Sequence, residues 1–213
     1  MRAWPLLGIL IIQVFLCLAH WFLFFTWMHT GWPMSPAAIA TLRVALVVLA
    51  FCFPTSALLG FRWDGGPVAL LYRLASVWMG VLNFFFWSAC LFWLADAALR
   101  LAPDDVHLRA RPYIAVALLA VSVLAAIYGL INALTIRLRR LTIALPNLPV
   151  AWRGRKAVLV SDLHLGNINR RGFAKRVADR IRALDPAIVF LPGDLFDGTR
   201  VTPETIAGPI LDL

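Results

Sequence analysis

The fold is decided between residues 156 and 198, which open Lys-Ala-Val-Leu-Val-Ser-Asp-Leu-His-Leu-Gly at 156–166 and close Ile-Val-Phe-Leu-Pro-Gly-Asp-Leu-Phe-Asp-Gly at 188–198. Each acid-bearing turn follows a short apolar run, 157–160 and 187–191, rich in β-branched residues. Runs of that length, ended by Asp or Gly, predict buried strands. Between them Phe173, Val177, Ile181 and Leu184 recur at helical spacing, while Lys175, Arg176, Asp179, Arg180 and Arg182 fill the other face. Asn169 is the expected N-cap of that helix and Pro186 its stop. The pattern is a βαβ unit with parallel strands, the start of an α/β domain. Ligands of open α/β sheets gather at the carboxyl ends of strands, and Asp162, His164, Asp194 and Asp197 all fall there. Three carboxylates brought to one edge repel one another unless a cation sits among them. His164 is the last of four histidines in the chain, and it stands where a metal needs it.

At these two turns the chain resembles the calcineurin-like metallophosphoesterase family. The family carries Asp-x-His after its first strand, matched by Asp162 and His164. It carries Gly-Asp-x-x-Asp after the next, matched by Gly193, Asp194 and Asp197. The resemblance implies that Asp162 and His164 bind a first divalent ion and that Asp194 bridges two. Asp197 is then either a further ligand or an anchor behind the ligands. Two ions are implied, and mixed carboxylate and imidazole donors suit Mn, Fe, Zn or Mg. The reaction implied is hydrolysis of a phosphomonoester, phosphodiester or pyrophosphate by in-line attack. A complete member continues to Gly-Asn-His-Asp/Glu, an isolated His and Gly-His-x-His, whereas nothing after Asp197 is Asn or His. The second ion therefore lacks most of its ligands, and the expectation is a C-terminally truncated sequence, inactive by itself. Thr202 and Pro203 are expected to start a further helix that is still running at Leu213.

Outward from this stretch the chain changes character. Of its 213 residues 62% are hydrophobic and 15% charged, with the apolar excess lying before residue 136. Four segments, 6–28, 37–59, 74–98 and 113–135, match the roughly 20 residues needed to cross a bilayer. The first is too long and aromatic for a cleaved signal. The expected architecture is an N-terminal α-helical transmembrane bundle of four spans at 1–136 and a basic linker at 137–155. An incomplete phosphoesterase domain follows at 156–213. Between the spans, 61–66 reads as a plain polar connection and 100–112 as a polar loop. Asp96 and Arg100 pair one helical turn apart. His20 and His29 are not one turn apart and read as packing residues. Cys17, Cys52 and Cys90 sit in separate spans as core thiols.

The termini and the middle loop share one side, which carries Arg2, Arg62, Arg73, Arg137, Arg139, Arg140, Arg153, Arg155 and Lys156, against Arg100, Arg109 and Arg111 opposite. The positive-inside rule places the protein in the cell membrane, multi-pass, with the phosphoesterase part in the cytoplasm. A net charge of +9 is topology signal plus one solvated helix face. It also suits membrane lipids as partners, since juxtamembrane basic residues attract anionic headgroups. No stacking platform or recognition motif for nucleic acid is present. The expected substrate is a phosphorylated small molecule or, from the membrane location, a lipid-linked phosphate. The competing reading is a non-catalytic membrane anchor or interaction protein carrying a degenerate half-domain.

Overall fold

The structure, a computed structural model, describes residues 4–213, with side chains from Leu7 onward; Arg2, counted above for orientation, lies outside them. Four long helices come first: α1 Trp4–Met28, α2 Pro36–Arg62, α3 Gly66–Leu99 and α4 Asp104–Leu134. All four are long and apolar enough to cross a membrane. Ser35 starts α2 by accepting the Ala38 N–H at 3.2 Å, with Pro36 at the first helical position. Two boundaries differ from the sequence reading. The α3 helix begins at Gly66, with Pro67 in its first turn, rather than at residue 74. The stretch 100–112 is not a loop but mostly the start of α4. Asp104 and Asp105 occupy its first turn, where the helix dipole favours carboxylates.

The chain divides into two compact units, Met1–Ser56 with Leu74–Leu134, and Ala57–Arg73 with Thr135–Leu213. In the first unit large apolar side chains cover the outside and polar ones are buried beside Leu16, Leu46, Leu82 and Phe92. Phe15, Leu94 and Leu124 face outward, while His20, Thr26, Ser56, Asp96 and Ser122 are buried. Lipid tails give helices no hydrophobic reason to associate, so hydrogen bonds and close packing join them. Trp78 Nε1 donates to His20 Nε2 at 2.9 Å, and Trp93 Nε1 donates to the Thr26 hydroxyl at 2.9 Å. Because an indole N–H only donates, His20 accepts at Nε2. Its proton sits on Nδ1, 2.7 Å from the Leu16 carbonyl. Both nitrogens of His20 are thus used in packing. Asp96 pairs with Arg100 at 3.2 Å, and also with His107 at 2.9 Å and Arg111 at 2.8 Å, partners that reading 100–112 as a loop concealed.

In the second unit, β1 (Ala157–Leu159) and β2 (Ile188–Phe190) pair in parallel, Val158 opposite Val189. Helix α5 (Arg171–Arg182) crosses between them, and α6 (Pro203–Leu211) follows β2. The core joins Leu163 and Leu165 to Ala174, Val177, Ala178 and Ile181 of α5 and to Ile206, Ala207 and Ile210 of α6. The strands are not buried on both faces. Val158 and Val189 pack toward the core, but Leu159 is 69% exposed and Phe190 48%, because the helices cover one side only. Asn169 does not cap α5: its amide donates to the Leu163 carbonyl at 3.1 Å, and Arg170 takes the cap position. Helix α6 closes at Leu211, with the Asp212 N–H returning to the Gly208 carbonyl at 3.0 Å, and so does not run on to Leu213.

Candidate metal centre

Beyond the strands proper, the two turns continue side by side. The His164 N–H donates to the Asp194 carbonyl at 3.1 Å and the Leu165 N–H to the Leu195 carbonyl at 2.7 Å. The Asp197 N–H returns to the Leu165 carbonyl at 3.1 Å. Along Asp162-Leu163-His164-Leu165 both leucines enter the core, while the aspartate and histidine stay at the open end. One ligand atom each from Asp162, His164 and Asp194 lies within 4.8 Å of the others, and all three residues are exposed. His164 Nε2 is 3.4 Å from Asp194 Oδ2, and the Ser161 hydroxyl donates to Asp162 Oδ2 at 2.6 Å.

The backbone marks the same three residues. Among the described residues the non-glycine positions with positive φ are Asp162 (55°), His164 (43°), Asp194 (50°) and Asp185 (49°). Asp185 precedes Pro186, which disfavours the ordinary helical conformation there. The other three have no such local cause. Left-handed backbone at a non-glycine residue is held only where its surroundings over-determine it, at about 1–3 kcal/mol each, and it clusters at functional sites. The donor chemistry fits a divalent cation. Two carboxylates and an imidazole suit Mn, Fe, Zn or Mg, and three protein ligands leave coordination positions for water and substrate.

Asp197 is placed differently. Its Oδ2 accepts the Asn167 N–H at 3.2 Å, while Oδ1 accepts the Thr199 N–H at 2.8 Å and the Thr199 hydroxyl at 2.6 Å. Its carboxylate lies so close over Gly166 that a Cβ at that position would collide with it. Asp197 therefore ties the first turn to the second and is absent from the three-residue donor group. Ser161, Asn167 and Thr199 were not singled out from the sequence. Thr199 carried a signal, since a side-chain oxygen bonding the backbone two residues on is the mark of an Asx turn.

A curated relative, the transmembrane protein with metallophosphoesterase domain of Danio rerio, is 29% identical over 173 residues, covering 78% of this chain and 39% of its own length. This chain is similar to a membrane protein that carries a metallophosphoesterase domain. It spans about two fifths of that relative's length. The matched length exceeds either α1–α4 or the segment after them, so the likeness takes in both. No family model matches the chain, and no solved structure does.

Proposed function

We propose that this chain is part of a membrane-bound, metal-dependent phosphoesterase that hydrolyses phosphomonoester, phosphodiester or pyrophosphate bonds. The observation that carries the reading is the convergence of Asp162, His164 and Asp194 within 4.8 Å at the open end of a parallel strand pair. A divalent ion held there lowers the pKa of its water and polarises a phosphoryl oxygen. Asp162 and Asp194 supply the negative charge that retains the ion, and neutral His164 supplies a nitrogen. The Ser161 hydroxyl orients Asp162. Asp197 holds both turns in register, and by the family resemblance Asp194 is the residue that would also serve a second ion.

The same reading divides the chain into a transmembrane region at 1–136, a basic linker at 137–155 and the phosphoesterase segment at 156–213. That segment lies in the cytoplasm on the count of Lys and Arg, and a lipid-linked phosphate is the substrate class that a membrane-borne site favours. The competing anchor reading draws on the exposed face of Leu159 and Phe190, a surface available to another protein. The deciding experiment uses the full chain in detergent. Calorimetric titration with Mn²⁺ should show binding that Asp194→Asn removes. Mn²⁺ binding that survives Asp162→Asn and Asp194→Asn alike would sink the proposal.

A further inference from the structure

Both turns that carry the ligands are gripped, just beyond the ligands, by the connection between α2 and α3. That connection, taken with the last turns of α2 and the first turns of α3 as Ala57–Arg73, belongs to the same compact unit as the strands and α5. The Arg200 N–H donates to the Gly60 carbonyl at 2.9 Å, and Arg200 Nη1 donates to the Arg62 carbonyl at 3.0 Å. Arg73 Nη2 donates to the Ile168 carbonyl at 3.2 Å, and Arg170 Nη2 to Asp64 Oδ1 at 3.1 Å. Residues 167–170 follow the turn of Asp162 and His164, and 199–200 follow the turn of Asp194, so each turn is held.

The seat of this grip is Gly60. Asn167 is fully buried, and a Cβ on Gly60 would lie 2.9 Å from its Nδ2 and 3.8 Å from Thr199 Cγ2. Asn167 and Thr199 are the residues whose backbone N–H groups Asp197 accepts. An unbroken path of contacts thus runs from Gly60 through Asn167 and Thr199 to Asp197 and the two turns. The Asp64–Arg170 pair is partly exposed and contributes little on its own. Bonds to backbone carbonyls and the close fit at Gly60 hold position more firmly, since they leave the chain itself no freedom to slide.

The geometry points to the α2–α3 connection as the positioning element of the metal centre: it sets the distance between the two ligand-bearing turns, with Gly60 as its seat and the backbone N–H groups of residues 167 and 199 as the ties to Asp197. The inference rests on the metal reading above, but its test has a readout independent of any ion. Asn167 Nδ2 and Oδ1 have no hydrogen-bond partner, so Asn167→Ala removes bulk without orphaning a donor. Gly60→Ala favours helix formation and acts only through the collision. In the full chain in detergent, Gly60→Ala should speed hydrogen exchange at 162–166 and 193–199. It should also weaken Mn²⁺ binding measurably and shift the visible spectrum of bound Co²⁺. Asn167→Ala should leave all three near their original values, and Gly60→Ala with Asn167→Ala should restore them, a coupling that independent sites do not show. Unchanged exchange in both turns of Gly60→Ala overturns the proposal, as does a double variant no better than Gly60→Ala. If the unmodified chain takes no Mn²⁺, the metal reading fails, and the exchange measurement alone decides whether the connection holds the turns.

Discussion

Asp194 and Asp197 are three residues apart and do different work. Asp194 is exposed and adopts a left-handed backbone that Asn also tolerates. Asp194→Asn should therefore leave the melting temperature nearly unchanged while removing Mn²⁺ binding. Asp197→Ala strips the acceptor from Asn167 N–H, Thr199 N–H and the Thr199 hydroxyl. The Asn167 N–H keeps the Thr199 hydroxyl oxygen at 3.3 Å, but the Thr199 N–H loses its acceptor at a cost of about 1–3 kcal/mol, so Asp197→Ala should lower thermal stability as well as Mn²⁺ affinity. Thermal unfolding and Mn²⁺ titration on the two variants separate the roles; an Asp197→Ala chain as stable as the original would remove its tethering role. The sequence singles out all four residues as candidates because Asp and His after an apolar run stand out, and the fold brings Asp162, His164 and Asp194 together. The sequence leaves Asp197 between two roles because only the fold shows which way a carboxylate turns. Gly166 is the concealed half of that arrangement: its lack of a side chain makes room for Asp197.

Among the elements, α5 was legible from its period, and its buried face is Ala174, Val177, Ala178 and Ile181. Ile181→Ala should destabilise the second unit by about 2–5 kcal/mol, read as a lower denaturant midpoint for its unfolding, with the first unit unaffected. The strands were legible in position but not in burial. An apolar run predicts two covered faces in a parallel sheet, and here α5 and α6 cover one. The start of α4 was misread because polar residues in a row look like a loop. In the fold His107 and Arg111 turn to Asp96, whose side chain is only 1% exposed. Removing one partner of a buried ion cluster costs about 3–5 kcal/mol. Asp96→Ala should therefore lower the melting temperature of the helical bundle well beyond what Asp104→Ala does, and equal effects would contradict the burial.

At the scale of the whole molecule, an even number of spans predicts residues 29–35 on one side of the membrane and the C-terminal segment on the other. The basic residues at 137–156 predict that the C-terminal side is cytoplasmic. With Cys17, Cys52 and Cys90 replaced by Ser, a cysteine at Trp32 should react with an impermeant maleimide on intact cells, and one at Leu213 only after permeabilisation. The reverse pattern would invert the orientation. The spans were readable because hydropathy is a sum over many residues. That Ala57–Arg73 belongs to the second unit was not, since Phe61-Arg62-Trp63-Asp64-Gly65-Gly66 has the composition of any polar turn. Its meaning lies in contacts with residues far along the chain, which no local pattern encodes.

The grip of Arg200 on Arg62 joins positions 138 residues apart. A ribosome adding about 5–20 residues per second takes on the order of ten seconds to cover that interval. The connection between α2 and α3 is therefore made, and its helices are available for insertion, well before the second ligand-bearing turn emerges. Assembly of the centre is a matter of sequence in time: the seat is laid first and the turns arrive to it. A delay in membrane insertion would leave newly made turns with nowhere to dock, so faults in insertion should surface as faster hydrogen exchange in 162–166 and 193–199.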